Sequence, residues 1–191
     1  MPTLNHICSC LMLTLSFVAI IIALATVDYG RKWVDQAPLP GQKLRVRVGV
    51  VQFCTVVEGS KEECHNLKND DGSKKLYQGG RLVLGFGLLA LFSVIGGMVM
   101  VILLAVGCES ACLSDQARAR KIAMGICLAA CFFISLAWVL YAAIVFPSDD
   151  WKKASAGNGR QFEFDISWSW IGLIPVTLMT ANAGLLINRE D

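Results

Sequence analysis

Apolar residues gather in four long runs, near 7–27, 82–107, 122–146 and 166–187, each almost free of charge. A helix needs about 20 apolar residues to cross a ~30 Å hydrocarbon core. The pattern therefore predicts four transmembrane helices. Three polar segments separate them, at 29–81, 108–121 and 147–165. In the first, Leu44-Arg45-Val46-Arg47-Val48-Gly49-Val50 alternates apolar and polar positions, and Val51 to Val57 continues with β-branched and aromatic residues. Such stretches read as half-buried strands. Asn69-Asp70-Asp71-Gly72-Ser73 reads as a turn. Gln161-Phe162-Glu163-Phe164-Asp165 alternates again and runs straight into the fourth apolar run. The expected fold is an all-α transmembrane four-helix bundle with a small extracellular antiparallel β-sheet, forming a single domain over 1–191.

Composition agrees with that pattern. Of 191 residues, 55% are hydrophobic and 17% charged, against about 25% charged in soluble domains. The leader Met1-Pro2-Thr3-Leu4-Asn5-His6 has no Lys or Arg, and the apolar run behind it is long. This favours a retained first span over a cleaved signal peptide.

Charge and cysteine disagree about sidedness. Ten of the seventeen Lys and Arg residues lie in 29–81 and three in 108–121, and basic residues favour the cytosol when loops are short. That rule weakens in a segment as long as 29–81. Its only two cysteines, Cys54 and Cys64, bracket a compact polar stretch. They read as a disulfide formed in an oxidising compartment, with two free thiols as the alternative. The cysteines put 29–81 and 147–165 outside, leaving both termini cytosolic in a multi-pass plasma-membrane protein.

Trp33, then Gly49-Val50-Val51-Gln52-Phe53-Cys54, then nine residues and Cys64, with Arg81 at the mouth of the second span, form a recognisable order. It resembles the signature of the claudin, peripheral myelin protein and epithelial membrane protein superfamily. That superfamily also holds calcium-channel gamma subunits and glutamate-receptor auxiliary proteins. The chain departs from it at Val50 and Val51, where the signature has leucine and tryptophan. The resemblance implies a claudin-like tetraspan protein acting as a structural cell-surface or cell-junction component. The alternative it implies is an auxiliary subunit that modulates trafficking or gating of a channel or receptor. In claudins, charges near the second cysteine tune ion selectivity; here Glu62, Glu63, His65 and Lys68 are of mixed sign and predict none. The ending Asn188-Arg189-Glu190-Asp191 lacks the apolar terminal residue that scaffold domains capture in claudins.

Other residues carry weaker signals. Arg81 reads as a snorkelling boundary marker, or, by the resemblance, as a link to the sheet through Asp28 or Asp165. Cys8, Cys10, Cys108 and Cys112 flank the cytosolic span ends, where reversible acylation occurs; zinc is the weaker competitor, because no pair has two-residue spacing. Cys127 and Cys131 share one helix face and read as small packing residues. Gly85, Gly87, Gly96 and Gly97, then Gly125 with Ala129, and Thr180 with Gly184, would let helices approach closely. Pro175 would kink or loosen the last span. Asn182, a lone strongly polar residue inside a span, predicts an inter-helix hydrogen bond.

Catalytic chemistry is missing from the pattern. With His6 and His65 as the only histidines, no metalloprotease, nucleophile-elbow or phosphate-loop motif occurs. No carboxylate pair lies within a span, and a net charge of +2 spread over the loops leaves no nucleic-acid footprint. The expectation is a non-enzyme without cofactor or metal. Its partners would be membrane lipids and other membrane proteins, its own copies or a channel or receptor subunit.

Overall fold

The computed structural model describes residues 4–25, 30–34, 44–48, 50, 52–57, 61, 63–66, 74–106, 116–145, 165–166 and 168–188. Four helices occur among them: α1 (Leu4–Ala25), α2 (Lys74–Val106), α3 (Gln116–Val145) and α4 (Trp168–Asn188). Three are long and apolar enough to cross a membrane, over Leu4–Ala25, Tyr77–Val106 and Gln116–Ile144. The fourth contributes a shorter apolar stretch, Leu173–Asn188.

The helix ends depart from the apolar runs. α2 begins at Lys74 and α3 at Gln116, so Lys74, Lys75 and Arg81, and likewise Arg118, Arg120 and Lys121, are helical residues and not parts of loops. Charge marks where a chain can meet hydrocarbon. It does not end a helix, because Lys, Arg and Gln are good helix formers and each added turn satisfies more backbone N–H and C=O groups. At the other boundary, Asp165–Ile166 is strand, and the fourth helix starts two residues later than its apolar run.

Five strands join in one antiparallel sheet: β1 (Gly30–Val34), β2 (Leu44–Val48), β3 (Gln52–Val57), β4 (Glu63–Asn66) and β5 (Asp165–Ile166), in the order β4-β3-β2-β1-β5. β2 falls within the alternating stretch of the sequence, and β3 within the β-branched and aromatic stretch that follows it. β1 and β4 are additional. Gly-Arg-Lys-Trp-Val and Glu-Cys-His-Asn lack the alternation that marks a half-buried strand, so pairing with neighbours defines them. The turn at 69–73 and the strand residues 161–164 lie outside the described residues.

Contacts divide the chain into two compact units, one of Met1–Ile22, Phe86–Leu136 and Gly172–Asp191, the other of Ala23–Gly85 and Ala137–Ile171. In the first, each helix segment meets two others. An added Cβ at Gly97 of α2 would touch Cys127 Sγ of α3 at 3.3 Å and Leu13 Cδ1 of α1 at 3.5 Å. The Phe86 and Phe133 rings stack with centroids 6.4 Å apart. Residue numbers thus rise on α2 as they fall on α3, which makes the pair antiparallel. At Gly184 of α4 an added Cβ would meet Cys127 Cβ at 2.9 Å, so the α3 and α4 backbones approach without room for a methyl group. Cys131 Sγ donates to the Thr177 carbonyl at 3.4 Å. The α1–α4 seam is polar. Ser9 Oγ donates to the Ala183 carbonyl at 3.2 Å, and Thr180 Oγ1 donates to the Val176 carbonyl at 2.8 Å. A hydroxyl has one proton, so the 3.0 Å contact between Thr180 Oγ1 and Ser16 Oγ is completed by the serine.

This unit buries large apolar side chains such as Leu13, Val94 and Ile187, as a soluble bundle does, but mixes them with small and hydroxyl-bearing ones. Its interior holds Ser9, Ser16, Thr180, Ala90, Ala123, Cys127, Ala130 and Ala183, all fully buried. Its exterior carries large apolar side chains, with Leu4 75%, Phe92 67% and Val106 75% exposed. Soluble monomers rarely show apolar patches on that scale. Lipid supplies no hydrophobic drive between helices, and small residues with hydroxyl bonds hold such bundles together. The small residues do not all serve that end. Gly97 and Gly184 are at contacts, whereas an added Cβ at Gly85 or Gly125 would meet nothing within 4 Å. Pro175 is exposed and lies inside an unbroken helix assignment.

Candidate functional site

The second unit carries the residues to which the sequence signature points. Cys54 of β3 and Cys64 of β4 stand directly opposite each other in the antiparallel register and form a disulfide. Gln52 and Asn66 occupy an opposed pair two residues along, and Gln52 Nε2 donates to Asn66 Oδ1 at 3.0 Å. Residues two apart on a strand share a face, so the bridge and the amide bond are successive rungs on one side of the hairpin. Cys54 is 1% exposed, while all four residues of β4 are exposed. β4 is a sheet edge, and its brevity and polar residues Glu63, His65 and Asn66 blunt an edge that could otherwise pair indiscriminately.

The register also orders charge. Asp165, Arg31, Arg47, Cys54 and Cys64 fall in one row across the five strands, and Trp33 is opposite Arg45. Like charges directly opposed destabilise a sheet, and opposite charges support it. Arg31 has both kinds of neighbour in its row, Arg47 on one strand and Asp165 on the other. Trp33 thus takes a register position in β1, between β2 and β5, while Gly49 lies outside the described residues.

A further contact was not legible in the signature. Gly79 and Gly80, in the second turn of α2, are both buried, and Val50 is 3% exposed. A Cβ added at Gly80 would fall on the Val50 carbonyl oxygen and lie 2.9 Å from its carbonyl carbon. The helix backbone therefore rests against the backbone of the chain between β2 and β3. The one available signal is the Gly-Gly pair itself, placed where helix propensity disfavours it.

Arg81 is exposed, and its Cζ lies 5.1 Å from the centroid of the Tyr77 ring, one helical turn earlier. The side chains of Asp28 and Asp165 are outside the described set, so the expected link to the sheet is not among the described contacts. A cation over an aromatic ring at an exposed site contributes roughly 0.5–1 kcal/mol. Arg81→Ala is accordingly expected to shift the unfolding midpoint only slightly and to preserve surface delivery, measured by biotinylation of intact cells. Loss of delivery would instead assign Arg81 a folding role beyond the Tyr77 contact.

Cys8 and Cys10 are partly exposed free thiols near the start of α1, and the Cys10 carbonyl accepts the Thr14 hydroxyl at 2.8 Å. Cys108 and Cys112 lie outside the described residues. Among the described residues, no three His, Cys, Asp or Glu side chains come together in a way that could hold a metal ion. Asn182 is exposed on α4, so the expected inter-helix bond is not among the described contacts within the chain. Its side chain makes no hydrogen bond to the described residues of α1–α3.

The chain matches no protein-family model, and no curated protein matches its sequence.

Proposed function

We propose that the chain is a claudin-like tetraspan membrane protein, a structural component of the cell surface or of cell junctions that associates through a disulfide-stapled sheet. The observation that carries this reading is the Cys54–Cys64 bridge within five antiparallel strands. Such a bridge suits an oxidising compartment, which argues for strands on the non-cytosolic side of the plasma membrane and both termini in the cytosol. α4, with 21 residues, measures about 31 Å at 1.5 Å per residue, enough for a fourth span. Four spans return 29–81 and 147–165 to the same side, and β5 pairs with β1, so strands from both segments meet. The order Trp33, Gly49, Cys54, Cys64, Arg81 supports membership of the claudin superfamily.

The partners on this reading are membrane lipids and other copies or relatives of the chain. Purification of the full chain in mild detergent from adherent cells is expected to yield self-associated protein, with the chain enriched at cell contacts. A channel or receptor subunit in stoichiometric amount in the eluate would replace this reading with that of an auxiliary subunit.

A further inference from the structure

The outward face of α4 carries Ile174, Leu178, Asn182 and Leu185, spaced by four, four and three residues and all exposed. Three of them are large and apolar, as lipid requires. Asn182 is not. For a helix centred on the bilayer, Asn182 lies four residues past the midpoint of Trp168–Asn188, about 6 Å from the midplane at 1.5 Å per residue, well inside a ~30 Å core. There the carboxamide has two N–H donors and a carbonyl acceptor that hydrocarbon cannot satisfy. The described residues of α1–α3 do not satisfy it either.

We infer that this stripe is a self-association surface, occupied by α4 of a second copy, with the two Asn182 carboxamides hydrogen-bonded to each other. The bilayer itself selects the occupant. All copies of one chain share a single orientation and depth, so a two-fold axis along the membrane normal brings each residue on the axis against its own counterpart. A carboxamide is self-complementary, since each can donate an N–H to the other's carbonyl oxygen. An unrelated partner would need a polar group at the same depth, whereas a second copy supplies one necessarily. This inference rests on the reading of α4 as a span.

The test uses the full chain, labelled with donor or acceptor dye and reconstituted in phosphatidylcholine vesicles at decreasing protein density. Wild type is expected to show energy transfer that falls with dilution as a dimer does. Interhelical bonds of this kind are weak, so Asn182→Leu is expected to lower the association constant roughly three- to tenfold, while Asn182→Gln, which keeps donors and acceptor, stays within about twofold of wild type. Phe92→Ala, on the outward face of α2, is expected to leave association unchanged. If Asn182→Leu associates as wild type does, or if wild type shows no transfer at any density, the inference is overturned. A membrane-impermeant thiol reagent, applied to intact and permeabilised cells carrying Ser169→Cys or Asn188→Cys and read against the unsubstituted chain, separates the two readings. Labelling of both positions from the same side would overturn the span itself, and labelling from opposite sides leaves any failure to the α4 surface alone.

Discussion

Replacing Gly80 by alanine is expected to lower the unfolding midpoint of the full chain in detergent, while the same change at Gly85 leaves it unchanged or raises it. Both glycines lie within α2, so both substitutions gain helix propensity, up to about 1 kcal/mol. They differ in what the methyl group meets. At Gly85 there is nothing within 4 Å; at Gly80 the methyl falls on the backbone of Val50. A carbonyl cannot turn aside as the end of a flexible side chain can, so the helix or the segment behind β2 must move. Overpacking of this kind costs roughly 1–3 kcal/mol, more than the propensity gained. The decisive quantity is therefore the sign of the difference between two chemically identical changes. A midpoint for Gly80→Ala equal to or above that of Gly85→Ala would show that α2 does not rest on Val50.

Loss of the disulfide is expected to be comparably severe. The bridge spans a sequence separation of 10, and in the chain-entropy model closing a loop of that length is worth roughly 3 kcal/mol. The two single substitutions should not be equal. Cys64 is exposed, so Cys64→Ser removes the bridge and little else. Cys54 is 1% exposed, so Cys54→Ser removes the bridge and also buries a hydroxyl, which costs a further ~1–3 kcal/mol if it finds no partner. Limited proteolysis of the 58–62 connection, with and without reductant, reads both effects. Wild type under reductant should be cleaved as fast as Cys64→Ser, and Cys54→Ser faster than either. If all three resist cleavage as well as oxidised wild type does, the hairpin holds without its staple.

How far the sequence foretold this molecule depended on the kind of signal. The four apolar runs placed the helices because length and absence of charge are properties of a single segment. The helix starts at Lys74 and Gln116 escaped because charge was read as a boundary when it marks only the edge of the hydrocarbon. β2 alternates and β3 is rich in β-branched and aromatic residues, so both were legible; β1 and β4 owe their conformation to neighbours, and neighbours are not written locally. Cys54 and Cys64 were legible as a pair because they stand alone in 29–81. Gly80 was not, since its role depends on a carbonyl thirty residues earlier in the chain. Orientation within the bundle was the least visible property. When lipid-facing and core-facing positions are both apolar, hydrophobic periodicity names no face, which is why Gly125 was expected at a helix contact and is found facing outward.

The hydroxyl seam between α1 and α4 sets a schedule for biosynthesis. Ser9 and Ser16 belong to α1, and their partners Ala183 and Thr180 are synthesised 174 and 164 residues later. Until α4 is made, α1 carries two polar groups without their partners across this seam. An uncovered seam is thus a chemical mark of a chain whose α4 has not yet docked, and its closure reports that docking.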